Sequence, residues 1–339
     1  MFHVITGGSG SGKSAYAESC ITQYAHSDCE SQRLFYIATM EPYGGETMKK
    51  IEQHRRFRAG KGFRTIECYT DLAGMIRQRD HQREESLKGA SVLLECMSNL
   101  VANELYHDVS KANSSDKGSQ IAGEIVDGIV LLCSTCEHVV VVTNEVCAEC
   151  ADDSEEMVRY KQVLSEVNRR MARIADLVTE IVYGIPLHHK RMNKMIVGSS
   201  KNDQKGDTKM RMIIGGAYQG QLDWAKEHYP DASWVDGKDC PVESVFTCEG
   251  IFNFHECIRR VMEMESSLQD KLAKEIMRKN PNLIIVTDEI GCGLVPVDAF
   301  MRNYREKAGR ICTELAEFSV QVVRVNLGIG TIIKGENKL

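Results

Sequence analysis

No apolar run in this 339-residue chain approaches the ~20 residues that a membrane-spanning helix needs, so no span is expected. The N-terminus has no basic segment followed by an apolar one, which argues against a secretory leader and makes the cytoplasm the expected location. Positive charge is not in excess either: 42 Lys and Arg face 48 Asp and Glu, a net charge of −6. That balance argues against a nucleic-acid face or a patch for anionic membranes. The thirteen cysteines are expected to be mostly reduced in that compartment. What the chain does have is ordinary globular composition, 42% hydrophobic and 27% charged, over a length that suits two domains.

Two Cys-x-x-Cys pairs, Cys133/Cys136 and Cys147/Cys150, raise the question of zinc. Residues 121–136 read as a helix and His138–Thr143 as the strand after it. The first pair then stands where the strand begins and the second beyond its end, roughly 20 Å away for about six residues of strand. Four zinc–sulfur bonds of about 2.3 Å cannot converge across that gap, so a shared zinc is not expected within one chain. A site shared between chains stays open.

The strongest motif is Gly7-Gly8-Ser9-Gly10-Ser11-Gly12-Lys13-Ser14, which fits G-x-x-x-x-G-K-S. An apolar strand, Phe2–Thr6, precedes it. A helix with Ala17, Cys20, Ile21 and Tyr24 on one face follows. Strand, glycine loop and helix N-terminus gather backbone N–H groups where the helix dipole favours an anion. Lys13 is expected to reach the β- and γ-phosphates of a nucleoside triphosphate, and the Ser14 hydroxyl to ligate Mg²⁺.

Further along, Leu34–Thr39 reads as a strand, residues 46–58 as a basic helix carrying His54, and Phe63–Cys68 as a short strand. Val92–Glu95 is an apolar strand ending in the acid expected beside Mg²⁺. A charged helix over 155–175 leads to a strand near Ile181–Tyr183. Residues 192–209 have linker composition. Beyond them Ile213-Ile214-Gly215-Gly216 and Gly220-Gln221-Leu222 repeat the strand and glycine loop, with Gln221 and Leu222 in the places of Lys13 and Ser14. Val286-Thr287-Asp288-Glu289 likewise echoes Val142-Thr143-Asn144-Glu145. The two glycine landmarks lie 208 residues apart and the two glutamates 144, so the second copy is shorter by 64, the difference. The expected organisation is 1–191 nucleotide-binding domain, 192–209 linker and 210–339 truncated second copy. The expected fold is α/β, a P-loop NTPase (RecA-like) three-layer αβα arrangement on a mainly parallel sheet, duplicated.

These motifs occur in one order: the glycine loop, Tyr36-Ile37-Ala38-Thr39, His54-Arg55 with Arg58, Thr65-Ile66-Glu67, Leu94-Glu95-Cys96 and Thr143-Asn144-Glu145. The later half adds Asp288-Glu289-Ile290-Gly291-Cys292-Gly293-Leu294-Val295-Pro296 and Tyr304-Arg305. Together they resemble the bifunctional adenosylcobinamide kinase/adenosylcobinamide-phosphate guanylyltransferase family of cobalamin biosynthesis, over nearly the whole chain in two passes. The resemblance implies two reactions: phosphoryl transfer from ATP or GTP to adenosylcobinamide, then GMP transfer through an enzyme histidine to adenosylcobinamide phosphate. It places that histidine at His54 and nucleotide contacts at Gly7 to Ser14, Ala38, Thr39, Met40, Arg55, Arg56, Phe57, Arg58, Glu67 and Glu95. It also implies a small-molecule corrinoid as partner, Mg²⁺ as cofactor, and a homo-oligomer. This chain departs from the family pattern at Cys147-Ala148-Glu149-Cys150, where the family has glycines and Val-Pro, and at Gly60 and Phe63. Two other readings stand beside it: a nucleotide-gated scaffold, and a small-molecule kinase with no guanylyl transfer and no use for His54.

Overall fold

The computed structural model describes residues 1–27, 33–42, 52, 60–80, 86–106, 117–144, 155–190, 209–217, 219–264, 267–293, 298–326 and 328–335. They group into two compact units. The first comprises Met1–Gly7, Lys13–Glu180 and His188–Met195, and the second Gly8–Gly12, Ile181–Leu187 and Ile196–Leu339. The stretch expected as a linker lies, apart from Lys209, outside the described residues.

The first sheet contains β1 (Phe2–Gly7), β2 (Leu34–Ala38), β3 (Arg64–Glu67), β4 (Ser91–Glu95), β5 (His138–Val142), β6 (Leu177–Val182) and β7 (Ile185–Lys190). Their order is β3-β2-β4-β5-β1-β6-β7. From β3 to β1 every pairing is parallel. The apolar runs Val92–Leu94 and Val139–Val142 are buried throughout, as strands covered on both faces must be. Helix α1 (Lys13–Ser27) turns Ala17, Cys20, Ile21 and Ala25 inward at helical spacing. The crossovers continue through α2 (Leu72–Asp80), α3 (Met97–Tyr106), α4 (Lys117–Thr135) and α5 (Glu155–Ile174), the last burying Val163, Leu164, Val167 and Met171.

The strand expected near Ile181–Tyr183 begins earlier, at Leu177, and ends at Val182. Tyr183 and Gly184, at φ 46° and 80°, form a two-residue turn into β7, a strand absent from the sequence-based expectation. Positive φ at both central residues matches the twist of a tight hairpin. The basic helix expected over 46–58 lies outside the described residues except for Glu52, which is helical.

The second sheet contains β8 (Arg211–Gly215), β9 (Trp234–Asp236), β10 (Gly250–Phe252), β11 (Ile284–Asp288), β12 (Gln321–Asn326) and β13 (Ile329–Lys334), in the order β13-β12-β8-β11-β10-β9. All its pairings are parallel except β12 with β13. Its helices are α6 (Gln221–His228), α7 (Phe254–Glu263), α8 (Leu272–Lys279) and α9 (Ala299–Phe318). Successive strand residues face opposite ways. Met212, Ile214 and Ile285 pack with Phe254, Ile276 and Leu315 of α7, α8 and α9. Ile213, Val286 and Val323 pack with Trp224 and Ala225 of α6. That makes three layers.

The two sheets run through the same order, β1, β5, β4 and β2 corresponding to β8, β11, β10 and β9, each with a terminal hairpin beyond β6 or β12. What the second lacks among the described residues is a counterpart of β3 and α2: residues 237–249 join β9 to β10, where residues 39–90 join β2 to β4. Among the described residues no helix is long and apolar enough to cross a membrane.

Candidate nucleotide site

Between β1 and α1 the backbone turns at Gly10 (φ 72°) and Gly12 (φ 89°), left-handed conformations that side chains with a Cβ rarely adopt. The Ser11 amide donates to the Gly8 carbonyl (3.3 Å), and the Gly184 amide donates to the Ser11 carbonyl (2.7 Å). The Ser11 hydroxyl is buried and has no hydrogen-bond partner among the described residues, an orphan that suits a loop built to meet an anion. Lys13 and Ser14 open α1 and are half-buried, so the helix N-terminus and the lysine share one end of the sheet.

Register sets the acid opposite them. Glu67, Ala38, Glu95 and Val142 lie in one row across β3, β2, β4 and β5, at the C-terminal ends of the strands. Ligands of open α/β sheets bind outside that edge. Glu95 is 8% exposed and accepts two hydrogen bonds, from the Ser14 hydroxyl to Oε1 and from the Tyr36 hydroxyl to Oε2 at 2.8 Å. A hydroxyl and a carboxylate side by side are hard oxygen donors of the kind Mg²⁺ takes. The structure therefore brings together the two residues expected to hold the metal.

Around them the backbone is pinned. The Thr39 hydroxyl accepts from the Cys96 amide and donates to the Cys96 carbonyl, both at 2.8 Å, while the Asn103 amide donates to the Thr39 carbonyl at 2.9 Å. Asn144 donates to the Ser98 hydroxyl at 2.7 Å, closing the far side of the β4 end. Met40 is half-buried just past β2. Glu67 is exposed and accepts from the Tyr69 hydroxyl at 2.9 Å, and β2 lies between its strand and that of Glu95. His54, Arg55, Arg56, Phe57 and Arg58 lie outside the described residues. The chain resumes at Gly60, and Lys61 pairs with the buried Glu18 of α1. Of the first cysteine pair, burial pushes the Cys133 thiol up to about 11. Cys147 and Cys150 lie outside the described residues.

Tyr36, Asn103 and Ser98 are site residues that sequence reasoning does not single out. Tyr36 precedes Ala38 by two and so faces the same side, but that Glu95 stands on that side follows only from the strand register.

The second unit has other chemistry at the same places. Ile213 pairs with Val286 as Ile5 pairs with Val142. One step beyond the Ile251–Ile285 pair puts Phe252 opposite Val286, where the first sheet has Glu95 opposite Val142. Lysine, serine and acid are thus replaced by Gln221, Leu222 and Phe252. Gln221 is buried, and its amide donates to the Gly216 carbonyl (2.6 Å) and to Asp288 Oδ1 (3.0 Å). Gly215 persists for a packing reason: a Cβ there would meet the Val325 carbonyl at 2.5 Å. His255 Nδ1 accepts from the Asp288 amide at 3.2 Å. Burial lowers the His255 pKa and raises that of Asp288.

Comparison with known proteins bears on what such a site does. A family model described as "Cobinamide kinase / cobinamide phosphate guanyltransferase" matches residues 3–189 and 251–333. The bifunctional adenosylcobalamin biosynthesis protein CobU of Salmonella typhimurium is 30% identical over 191 residues, covering 55% of this chain and 97% of the relative. The protein of the same name from Escherichia coli K12 matches with the same identity and coverage. Among solved structures, a KaiC-like protein from Pyrococcus horikoshii matches at 12% identity and TM-score 0.34, covering 57% of this chain and 79% of that one. A DnaB-like replicative helicase matches at 13% identity and TM-score 0.32, covering 53% and 46%.

Proposed function

Because the chain belongs to the cobinamide kinase / cobinamide phosphate guanyltransferase family, we propose that it phosphorylates adenosylcobinamide and then transfers GMP from GTP to the product, two steps of cobalamin biosynthesis. The observation that carries this reading is the pairing of Ser14, at the start of α1, with Glu95, at the end of β4.

In the kinase step the γ-phosphate of ATP or GTP passes to the aminopropanol hydroxyl of the corrinoid. The O–Pγ bond forms as the Pγ–O bond to the departing nucleoside diphosphate breaks, and the hydroxyl proton passes to water. The loop amides and Lys13 hold the β- and γ-phosphates and offset the charge that gathers on them. Ser14 and Glu95 would hold Mg²⁺, which supplies further charge compensation there when bound. In the second step a neutral His54 imidazole attacks the α-phosphorus of GTP, the N–P bond replaces the bond to pyrophosphate, and the corrinoid phosphate then displaces the histidine. Arg55, Arg56 and Arg58 are placed by sequence to share the phosphate charge, with Phe57 between them, and Ala38, Thr39, Met40 and Glu67 to line the nucleotide side of the sheet edge.

Residues 1–191 carry this chemistry. Residues 210–339, after a linker at 192–209, are a shortened copy whose loop no longer takes a triphosphate. The partner is a small corrinoid, and the chain works as a homo-oligomer.

The test is turnover by the full chain with ATP, GTP, Mg²⁺ and adenosylcobinamide. Adenosylcobinamide phosphate should appear first and adenosylcobinamide-GDP after it. Nucleotide binding that is indifferent to the corrinoid, with neither product formed, would favour a nucleotide-gated scaffold instead.

A further inference from the structure

We propose that Tyr36 is a positioning residue for the metal-side acid: its hydroxyl fixes the plane of the Glu95 carboxylate so that Oε1 is presented to Ser14. The inference rests on the function proposed above, since it concerns the same site.

Four observations converge on it. Tyr36 and Glu95 are on adjacent parallel strands, and the Ala38–Glu95 and Tyr36–Leu93 pairs put both side chains on one face as diagonal neighbours. The phenol spans that diagonal and donates to Oε2 at 2.8 Å, a bond buried at both ends. Tyr36 is 4% exposed, and its ring meets Phe63 edge-on at 6.2 Å, so it has little freedom to turn away. The other carboxylate oxygen, Oε1, receives the Ser14 hydroxyl. A carboxylate held at one oxygen only can rotate about its terminal bond; held at both, it cannot. The phenol also satisfies a buried oxygen that would otherwise stand without that donor. In the second unit the register puts Trp234 opposite Gly250 and Asp236 opposite Phe252, the places of the Tyr36–Leu93 and Ala38–Glu95 pairs. The phenol and the acid are thus absent together from the copy whose loop is closed by Gln221.

The experiment reads the metal, because a hydroxyl bonded for stability alone would leave metal affinity unchanged. Mn²⁺ serves as the probe, titrated against the full chain with bound GTP and followed by the free-ion electron paramagnetic resonance signal. Tyr36→Phe keeps the ring and removes only the donor. It should weaken Mn²⁺ binding about tenfold, the lower end of what loss of a hydrogen-bond partner behind a metal ligand costs. GTP affinity without metal should stay at the parent value. Added to Glu95→Gln, the same change should have no further effect, because the group it orients is already gone. Glu95→Asp leaves Tyr36 untouched but draws the carboxylate back by one methylene, and it should weaken Mn²⁺ as well. Mn²⁺ affinity unchanged in Tyr36→Phe or in Glu95→Asp, with Glu95→Gln impaired, would overturn the role of Tyr36 while leaving the site reading intact. Unchanged affinity in Glu95→Gln would overturn both.

Discussion

The side-chain amide of Gln221 stands 3.0 Å from Asp288 Oδ1 and, at the same nitrogen, 2.6 Å from the Gly216 carbonyl. The residue in the place of the phosphate-loop lysine thus bonds inward, to its own loop and to the end of β11. A lysine there would bring a charge for phosphate; a glutamine brings a neutral donor already in use.

One nucleotide per chain is therefore expected when the full chain is titrated calorimetrically with GTP and Mg²⁺. Gln221→Ala should leave that number and the turnover unchanged, while costing about 1 kcal/mol of stability, since both acceptors are part-exposed and water can replace the lost donor. A second equivalent site would contradict the assignment of the second unit as a closed copy.

Lys13→Ala should remove both product-forming steps, because one cation serves the β- and γ-phosphates in each. The expected loss in kcat is about 10²–10³, as for other single groups that stabilise transition-state charge. Parent-level turnover in either reaction would mean that the nucleotide sits elsewhere.

A third expectation concerns acid stability. His3 in β1 is bonded to Tyr24 (3.0 Å) and Thr179 (2.8 Å), and burial together with the nearby His188 lowers its pKa from 6.5 to about 4. Between those values the unfolded chain binds a proton that the folded chain refuses. The stabilising contribution of neutral His3 is therefore complete above pH 6.5 and is lost as the pH falls toward 4, by up to about 3 kcal/mol. Denaturant melts over that range should show a steeper fall for the parent than for His3→Gln. Parallel profiles would remove His3 as the cause.

Much of the fold and of the site is legible in the amino-acid sequence, because the signals are local. Gly7 to Ser14 stands out by its spacing, and Val139–Val142 by an unbroken apolar run. The pairing of Ser14 with Glu95 is readable as well, since a phosphate loop needs an acid at a neighbouring strand end. The β6–β7 hairpin is not, because its turn is Tyr183-Gly184 and a tyrosine with φ 46° carries no turn signature. Tyr36 escapes for another reason: its contact with Glu95 depends on the register between strands 59 positions apart in sequence. The replacement of Glu95 by Phe252 has the same character, appearing only once β10 is laid against β11.

The most direct test of the account is covalent labelling with GTP carrying its label on the α-phosphate. The full chain with Mg²⁺ should form a protein–GMP adduct that is acid-labile and alkali-stable, as an N–P bond to histidine requires. His54→Ala should lose the adduct and still bind GTP. An adduct of the same stability that persists in His54→Ala, or a parent chain that never labels while it turns over phosphate, would contradict it.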